Sequence, residues 1–353
     1  MKFKMVDKIW FKIFTVVLFS YVFIGGMLRP LNPGIKELSP ISVKSGASVQ
    51  IAVNTYNTHL KQGEVNGYLK LDSLYALPSK AVTVNGPSSG IFDFDIPAVF
   101  PDGQKSSNVT LIIASKTDGT FIRPDAIWID LDSTKAIQAG MNWQKDIIKN
   151  LPVASNVGFP FRLILEETIR NVFYHVPLWF AMFILYSIAA FQGLKFIRKN
   201  KAEDLMKSYS YNRVGFYFGI LGLLTGSVWA RFTWGTFWTG DIKLNMTAIA
   251  MLIYAAYFIL WNSFKDDQLR GRICSVYSIF AFVAMIPLIF VIPRLYDSLH
   301  PGNGGNPALG GEDLDNTLRT VFYPAVIAFT CLGLWLVNLT YKLTRINHKL
   351  LGE

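Results

Sequence analysis

The apolar run ICSVYSIFAFVAMIPLIFVIP occupies residues 273–293 and contains no charged side chain. A bilayer core is about 30 Å thick and needs about 20 mostly apolar helical residues to cross it, so this run predicts a membrane-spanning helix. Five other runs share its character. The six predicted spans lie near Ile9–Leu28, Val176–Leu194, Val214–Phe232, Met246–Phe264, Ile273–Pro293 and Val321–Thr340. The sequence therefore predicts a mainly α, polytopic membrane protein with six transmembrane helices.

The composition agrees with the membrane class. Of 353 residues, 51% are hydrophobic and 16% charged, which is too little polar surface to cover a soluble globule of this length. The formal net charge is +10, but the basic residues flank the apolar runs and form no single stripe, so we expect the lipid bilayer and no nucleic acid as a partner. The two cysteines, Cys274 and Cys331, lie inside apolar runs and predict no disulfide framework.

Lysines and arginines gather at one set of span ends, which the positive-inside rule assigns to the cytoplasm. These residues include Lys4, Lys8, Lys195, Arg198, Lys199, Lys201, Lys207, Arg213, Lys265, Arg270, Arg272, Lys342 and Arg345. The opposite side carries Arg231, Lys243, Arg294 and Arg319 near its short loops. Both termini are therefore predicted to be cytoplasmic. The first run follows several lysines, so a cleaved signal peptide is the alternative to a first transmembrane helix.

The segment between the first two spans is polar and has the texture of strands and turns. Alternating or β-branched runs are separated by Gly, Pro, Asn and Asp, which is typical of a small β-sandwich. Examples of these runs are Ser48–Val53, Gly67–Leu71, Ala81–Val84, Ile91–Ile96 and Val109–Ile113. After them, Phe161–Tyr174 has near-helical apolar spacing and predicts an interfacial helix.

These patterns predict three domains. Residues 1–29 form the first transmembrane helix with a cytoplasmic N-terminus, and residues 30–158 form a β-sandwich-like insert on the outer side. Residues 159–353 form a five-helix membrane domain with an outer tryptophan-rich loop and a cytoplasmic C-terminus.

Three unusual features fall on the predicted outer face. They are His175 in NVFYHVP, the aromatic loop Trp229–Asp241 and His300 in DSLHP. Two neutral imidazoles can ligate iron from opposite faces, while tryptophan planes can cover a flat apolar macrocycle, so this set predicts an iron porphyrin site. The motif C-x-x-C-H is absent from the sequence, so any heme would be bound non-covalently.

Simpler interpretations exist for each feature. Tryptophans at a membrane interface commonly form an aromatic belt, and a histidine at a helix end is commonly capped or solvated. The chain has four histidines, and two of them lie on the predicted outer face beside the aromatic loop, which favours the ligand interpretation. His59 and His348 have no supporting neighbours in sequence and are predicted to be surface residues.

Other site chemistry has little support in the sequence. It contains no Walker A loop, no nucleophile motif and no H-E-x-x-H, so we expect no enzymatic activity. Arg231, Lys243 and Arg294 are the outer-side cations nearest the aromatic loop and suit the propionates of a porphyrin.

Four ordered motifs resemble the heme exporter protein C (CcmC) family of cytochrome c-type biogenesis. They are the HVP element at His175–Pro177, TGSVW at Thr225–Trp229, WGTFW at Trp234–Trp238 followed by Asp241 and Leu244, and Leu299-His300. The family belongs to a wider group of heme-handling proteins that share a tryptophan-rich "WWD" periplasmic segment. The resemblance covers the second to sixth spans in order.

The resemblance implies a multi-pass protein of the bacterial cytoplasmic (inner) membrane with a periplasmic heme site. Such a protein binds heme b transiently and non-covalently, and it delivers the heme to a membrane-anchored heme chaperone. It works with ABC transporter subunits of cytochrome c maturation. By position, His175 and His300 are implied as axial metal ligands, and the implied porphyrin platform consists of Trp229, Trp234, Trp238 and Asp241.

The sequence departs from the family pattern at three positions and in the insert. Gly240 replaces the usual tryptophan before the aspartate, and Lys243 and Asn245 replace a common arginine and threonine. The insert is not part of the usual compact protein. Three other functions stay open: a synthetase-type relative that attaches heme directly to apocytochrome c, a heme-free transporter, and a sensor.

Overall fold

A computed structural model describes residues 4–101, 106–130, 143–152, 158–300, 310 and 314–350. The side chain of His348, a predicted surface residue, lies outside the described part. The chain divides into two compact units, Pro30–Glu166 and Met1–Arg29 together with Glu167–Glu353. We refer to the first as the insert and to the second as the helical unit.

The helical unit is built from six long helices. They are α1 (Ile9–Leu28), α2 (His175–Lys199), α3 (Ala202–Trp234), α4 (Ile242–Ser263), α5 (Asp267–Ile286) and α6 (Asn316–Leu350). Each helical segment is long and apolar enough to cross a membrane, so the prediction of six candidate spans is confirmed.

Side chains and glycine define several helix ends. Asp241 accepts a hydrogen bond from the backbone N–H of Lys243 at the start of α4, and Asp266 does the same from Leu269 at the start of α5. At the end of α3, Gly235 adopts a left-handed φ of +83°, which a glycine reaches without strain. The aromatic loop predicted to begin at Trp229 therefore begins only at Gly235, because α3 continues through Trp234.

Two predicted segments differ from the structure in helix type. The fifth span was predicted to run to Pro293, and the apolar helical segment does extend over Asp267–Arg294. Within it, α5 ends at Ile286, and a π turn at Pro287–Val291 and a 3-10 turn complete the segment. Proline lacks the N–H that an α-helix requires at this position. The predicted interfacial helix is a 3-10 helix at Glu166–Phe173, preceded by turns, and Glu166 has a positive φ of 43°.

Helices α2 and α3 pack closely along a line of glycines. A Cβ added at any of four α3 glycines would come within 3.0 Å of an α2 side chain. The pairs are Gly215 with Tyr186, Gly219 with Met182, Gly222 with Trp179 and Gly226 with His175. Small residues allow helices in a membrane to approach each other in this way. This packing sets the position of His175 against α3.

The insert contains two β-sheets. Its strands are β1 (Gly34–Ser39), β2 (Ser42–Lys44), β3 (Ser48–Tyr56), β4 (Val65–Lys70), β5 (Tyr75–Pro78), β6 (Ala81–Gly86), β7 (Ser89–Asp95), β8 (Ser106–Ser115), β9 (Gly119–Asp130) and β10 (Gln144–Lys145). The first sheet has the order β1-β3-β7-β6, and the second has the order β10-β5-β4-β8-β9-β2. All pairings are antiparallel except that of β2 with β9.

Side chains from both sheets share one buried core, which includes Ile51, Phe92, Leu111 and Ile127. Strand β7 alternates buried and half-buried residues, the period of a strand with one covered face. The β-rich character of the insert is confirmed, and its sandwich form and outer location stay predictions.

Candidate functional site

Two tryptophans on the last turns of α3 form the centre of the site. The indole rings of Trp229 and Trp234 lie with their centroids 4.8 Å apart at an interplanar angle of 71°. Edge-to-face contact of this kind is favourable for aromatic pairs and restrains both rings.

His300 packs against both of these rings. Its imidazole centroid is 4.7 Å from that of Trp234 and 5.9 Å from that of Trp229. The histidine lies beyond α5 in the sequence, so the chain returns here from a distant point. Three of the predicted site residues therefore form one cluster, which we call the Trp–His cluster: Trp229, Trp234 and His300.

Asp241 holds His300 in this place. The carboxylate side chain is 1% exposed, and its Oδ1 is 3.1 Å from Nδ1 of His300. It also accepts hydrogen bonds from the backbone N–H of Leu299 at 2.7 Å and of Lys243 at 2.9 Å. A carboxylate only accepts, so the Nδ1 of His300 carries the proton and Nε2 keeps its lone pair. Such an arrangement orients a histidine for metal binding.

The electrostatics of this pair favour a charged aspartate and a neutral histidine. Burial tends to raise the pKa of Asp241, but hydrogen bonds from Leu299 and Ser298 and the nearby His300 outweigh it, so the net pKa is lowered. Burial lowers the pKa of His300, with Lys243 acting in the same direction, although the carboxylate of Asp241 opposes the shift. A neutral imidazole is the form that ligates a metal.

His175 is the first residue of α2 and has a partner at each ring nitrogen. Nδ1 lies 3.0 Å from the hydroxyl of Thr225, and Nε2 accepts from the indole N–H of Trp179 at 3.2 Å. A Cβ at Gly226 would lie 2.6 Å from Cε1 of this ring, so the imidazole sits against bare α3 backbone.

Trp238 has a different set of neighbours from the Trp–His cluster. It is 44% exposed, and its indole N–H donates to Oδ1 of Asn245 at 3.2 Å. Asn245 also donates to the carbonyl of Gly240, also at 3.2 Å. Two of the positions that depart from the family pattern are thus linked, and Asn245 restrains the tryptophan that follows Trp234 in the loop.

Basic side chains border the cluster. Nζ of Lys243 is 3.5 Å from the carbonyl of His300. The guanidinium of Arg231 donates to the carbonyl of Gly235 and lies 6.0 Å from the ring of Phe237. Arg294 is exposed. Lys243 is the one of these cations that directly touches a residue of the Trp–His cluster.

No individual role was predicted for Thr225 or for Trp179. A signal for Trp179 was available, because residues four apart on a helix share a face and Trp179 follows His175 by that spacing. The glycine spacing of α3 was a second signal, since it marks a close helix contact.

Comparison with known proteins adds an independent finding. The family model described as CcmC, heme exporter protein C, matches residues 155–351, which is more than half of the chain. The heme exporter protein C of Bradyrhizobium diazoefficiens is 31% identical over 172 residues, covering 47% of this chain and 62% of that protein.

Two further relatives carry the same name. That of Escherichia coli K12 is 26% identical over 187 residues, with 52% of this chain and 70% of the relative covered. The relative from Rhodobacter capsulatus is 24% identical over 195 residues, which cover 53% of this chain and 77% of the relative. Since the family model spans all the helices from α2 to α6, this multi-pass membrane protein belongs to the heme exporter protein C family.

Proposed function

We propose that this protein binds heme between His175 and His300 and delivers it to a heme chaperone during cytochrome c maturation. The observation that carries the proposal is the Trp–His cluster, in which a neutral His300 oriented by Asp241 lies against two tryptophan rings. The matched family and its relatives are named as heme exporters, which supports the same cargo.

The residues fit the chemistry of heme. Its iron takes axial nitrogen ligands, and neutral imidazole is a common one. The lone pair on Nε2 of His300 suits that purpose, and His175 is the second candidate ligand. Trp229 and Trp234 offer apolar ring surface for the macrocycle, and the exposed Trp238 offers a further indole plane. The bound form would be heme b, held transiently and without a covalent bond.

Charged groups at the rim suit the remaining parts of the molecule. Heme propionates need cationic partners, and Lys243 lies beside His300. Arg231 and Arg294 are further candidates. We assign Asp241 to the orientation of His300 and not to the porphyrin itself, because its oxygens already accept from several donors in the protein.

Exposed aromatic side chains near the end of α3 suit a protein that delivers heme better than one that stores it. Phe232 is 74% exposed and Phe237 is 58% exposed, so the aromatic surface continues to the outside of the helical unit. A heme bound along such a surface can pass sideways to another protein. The partners we propose are a membrane-anchored heme chaperone and ABC transporter subunits of cytochrome c maturation.

We place the heme site on the periplasmic face of the inner membrane, with both termini in the cytoplasm. The positive-inside distribution supports this orientation. Contacts between α6 and the residues before α1 support the placement of both termini on one side, since the Oδ1 of Asp7 accepts from Asn338 at 2.8 Å and pairs with Lys342. The two ends of the chain then lie on the same side of the helical unit.

Optical spectroscopy of detergent-purified protein tests the proposal. We expect the wild type to bind heme on titration with the spectrum of a six-coordinate iron, and His175→Ala and His300→Ala to lose or alter that spectrum. His59→Ala in the insert is the matched control, because His59 also pairs with a buried aspartate at 3.1 Å. A folded wild type that binds no heme on titration would refute the proposal.

A further inference from the structure

We propose that the indole N–H of Trp179 occupies the lone pair of His175 that heme iron would bind, so that iron and indole exchange during loading and release. This inference rests on the proposed function and adds a positioning residue to it. It follows from the hydrogen bonds at the two nitrogens of one ring.

Thr225 determines which nitrogen of His175 carries the proton. The Thr225 hydroxyl lies 2.9 Å from the carbonyl of Leu221 and 3.1 Å from that of Gly222, so its own hydrogen is used within α3. The Thr225 oxygen therefore accepts from Nδ1 of His175, which lies 3.0 Å away. With the proton on Nδ1, the lone pair of this imidazole is on Nε2.

Trp179 covers that lone pair. An indole nitrogen only donates, and the Nε1 of Trp179 lies 3.2 Å from the Nε2 of His175. The two rings stand at 83° with their centroids 5.9 Å apart, so the indole approaches the imidazole edge. The nitrogen suited to iron is thus already hydrogen-bonded within the protein.

Glycines of α3 hold the pair in this geometry. A Cβ at Gly222 would lie 2.7 Å from Cε2 and Cζ2 of Trp179, and one at Gly226 would lie 2.6 Å from Cε1 of His175. Both rings therefore rest on bare backbone. In the heme-free protein this packing positions the indole where its N–H meets the imidazole.

The two histidines consequently differ in how readily they can ligate iron. His300 has its proton directed to Asp241, and that contact uses Nδ1 alone. His175 has partners at both nitrogens. We infer that His300 ligates first and that His175 completes the coordination once the indole has moved.

The exchange needs no proton transfer and no redox partner. The N–H···N hydrogen bond breaks, an iron–nitrogen bond forms through the same lone pair, and the indole keeps its hydrogen. A hydrogen bond between neutral groups changes an equilibrium constant about fivefold. Trp179→Phe keeps an aromatic ring but removes the N–H, so we expect it to bind heme about fivefold more tightly than the wild type.

Ring-nitrogen NMR of isotopically labelled histidine in the heme-free protein tests the hydrogen bond directly. We expect the Nε2 signal of His175 to shift toward that of an unbonded acceptor in Trp179→Phe, while Nδ1 stays protonated. The matched control is Trp143→Phe in the insert, which also removes an indole donor at 3.2 Å, there to the carbonyl of Val99. The control should leave the His175 signals unchanged.

Heme titration of the same proteins completes the test. Either of two results would overturn the inference and leave the proposed function intact. One is an unchanged Nε2 signal of His175 in Trp179→Phe. The other is a wild type that binds heme and a Trp179→Phe variant that binds it equally tightly or more weakly. Weaker binding would mean that the indole supports the porphyrin. A wild type that binds no heme would overturn both proposals together.

Discussion

Replacement of Asp241 by alanine should weaken heme binding about 10- to 100-fold. The carboxylate accepts several hydrogen bonds, and one of them, at 3.1 Å, comes from Nδ1 of His300. A hydrogen bond to a charged group contributes about 1.5–3 kcal/mol. Loss of that single bond corresponds to about 10- to 150-fold in an equilibrium constant, which agrees with the range expected for a residue that orients a metal ligand.

The same substitution should loosen the polypeptide around the site. The backbone N–H groups of Leu299 and Lys243 lose their acceptor, and α4 loses its N-cap, which contributes about 1 kcal/mol. We expect Asp241→Asn to bind heme more tightly than Asp241→Ala, because an amide oxygen can still accept from Nδ1 of His300. Heme titration followed by absorbance measures the affinity, and circular dichroism confirms that each variant is folded.

Asp118→Ala provides the matched control. Asp118 is buried and pairs with Nδ1 of His59 at 3.1 Å, but it lies in the insert. Heme affinity should be the same in this variant as in the wild type. A folded Asp241→Ala protein with wild-type heme affinity would refute the role given to Asp241, and an equal loss in Asp118→Ala would show that the effect is not specific to the site.

Four further predictions concern pH and glycine. Burial lowers the pKa of His300, so its imidazole stays neutral below the ordinary histidine pKa of about 6.5, and heme affinity should change little as the pH falls from about 7.5 to about 6.5. As the pH falls, His300 takes up its proton at a higher pH in the unfolded chain than in the folded protein. The heme-free protein should therefore lose stability below about pH 6.5, and thermal unfolding above and below this pH measures the effect. Gly226→Ala should shift the ring of His175, because the added Cβ would lie 2.6 Å from Cε1 of that ring, and the heme spectrum should lose the contribution of this ligand. Gly240→Ala is the control and should leave the spectrum unchanged, because nothing lies within 4 Å of the added Cβ. Gly240→Trp should fold and bind heme about 2- to 12-fold more tightly than the wild type, since one aromatic contact contributes about 0.5–1.5 kcal/mol. Weaker binding in a heme titration would contradict the conclusion that a large side chain has room at this position.

Local sequence determined the six helices and the strand-rich insert. In a bilayer, the backbone N–H and C=O groups of an apolar run such as residues 273–293 find no water to hydrogen-bond. They must bond to each other, so the run is expected to be helical. Five predicted strand runs correspond to β3, β4, β6, β7 and β8. The predicted runs named no counterpart of β9, which contains Pro124. Its pairing with β8 shifts register there, between Leu111 opposite Arg123 and Val109 opposite Ile127.

The tertiary structure decided how the site is assembled. Topology alone predicted that His175, the aromatic segment and His300 share one face, because alternating spans fix the side of every loop. It did not predict that α3 carries Trp229 and Trp234 as helical residues, or that Asp241 is the acceptor for the side chain of His300. Nor did it predict the Thr225–His175–Trp179 chain of hydrogen bonds. Hydropathy and periodicity describe neighbours along a helix or strand, whereas these contacts join residues brought together by the glycine-lined packing of α2 on α3 and by the return of the chain to the start of α4.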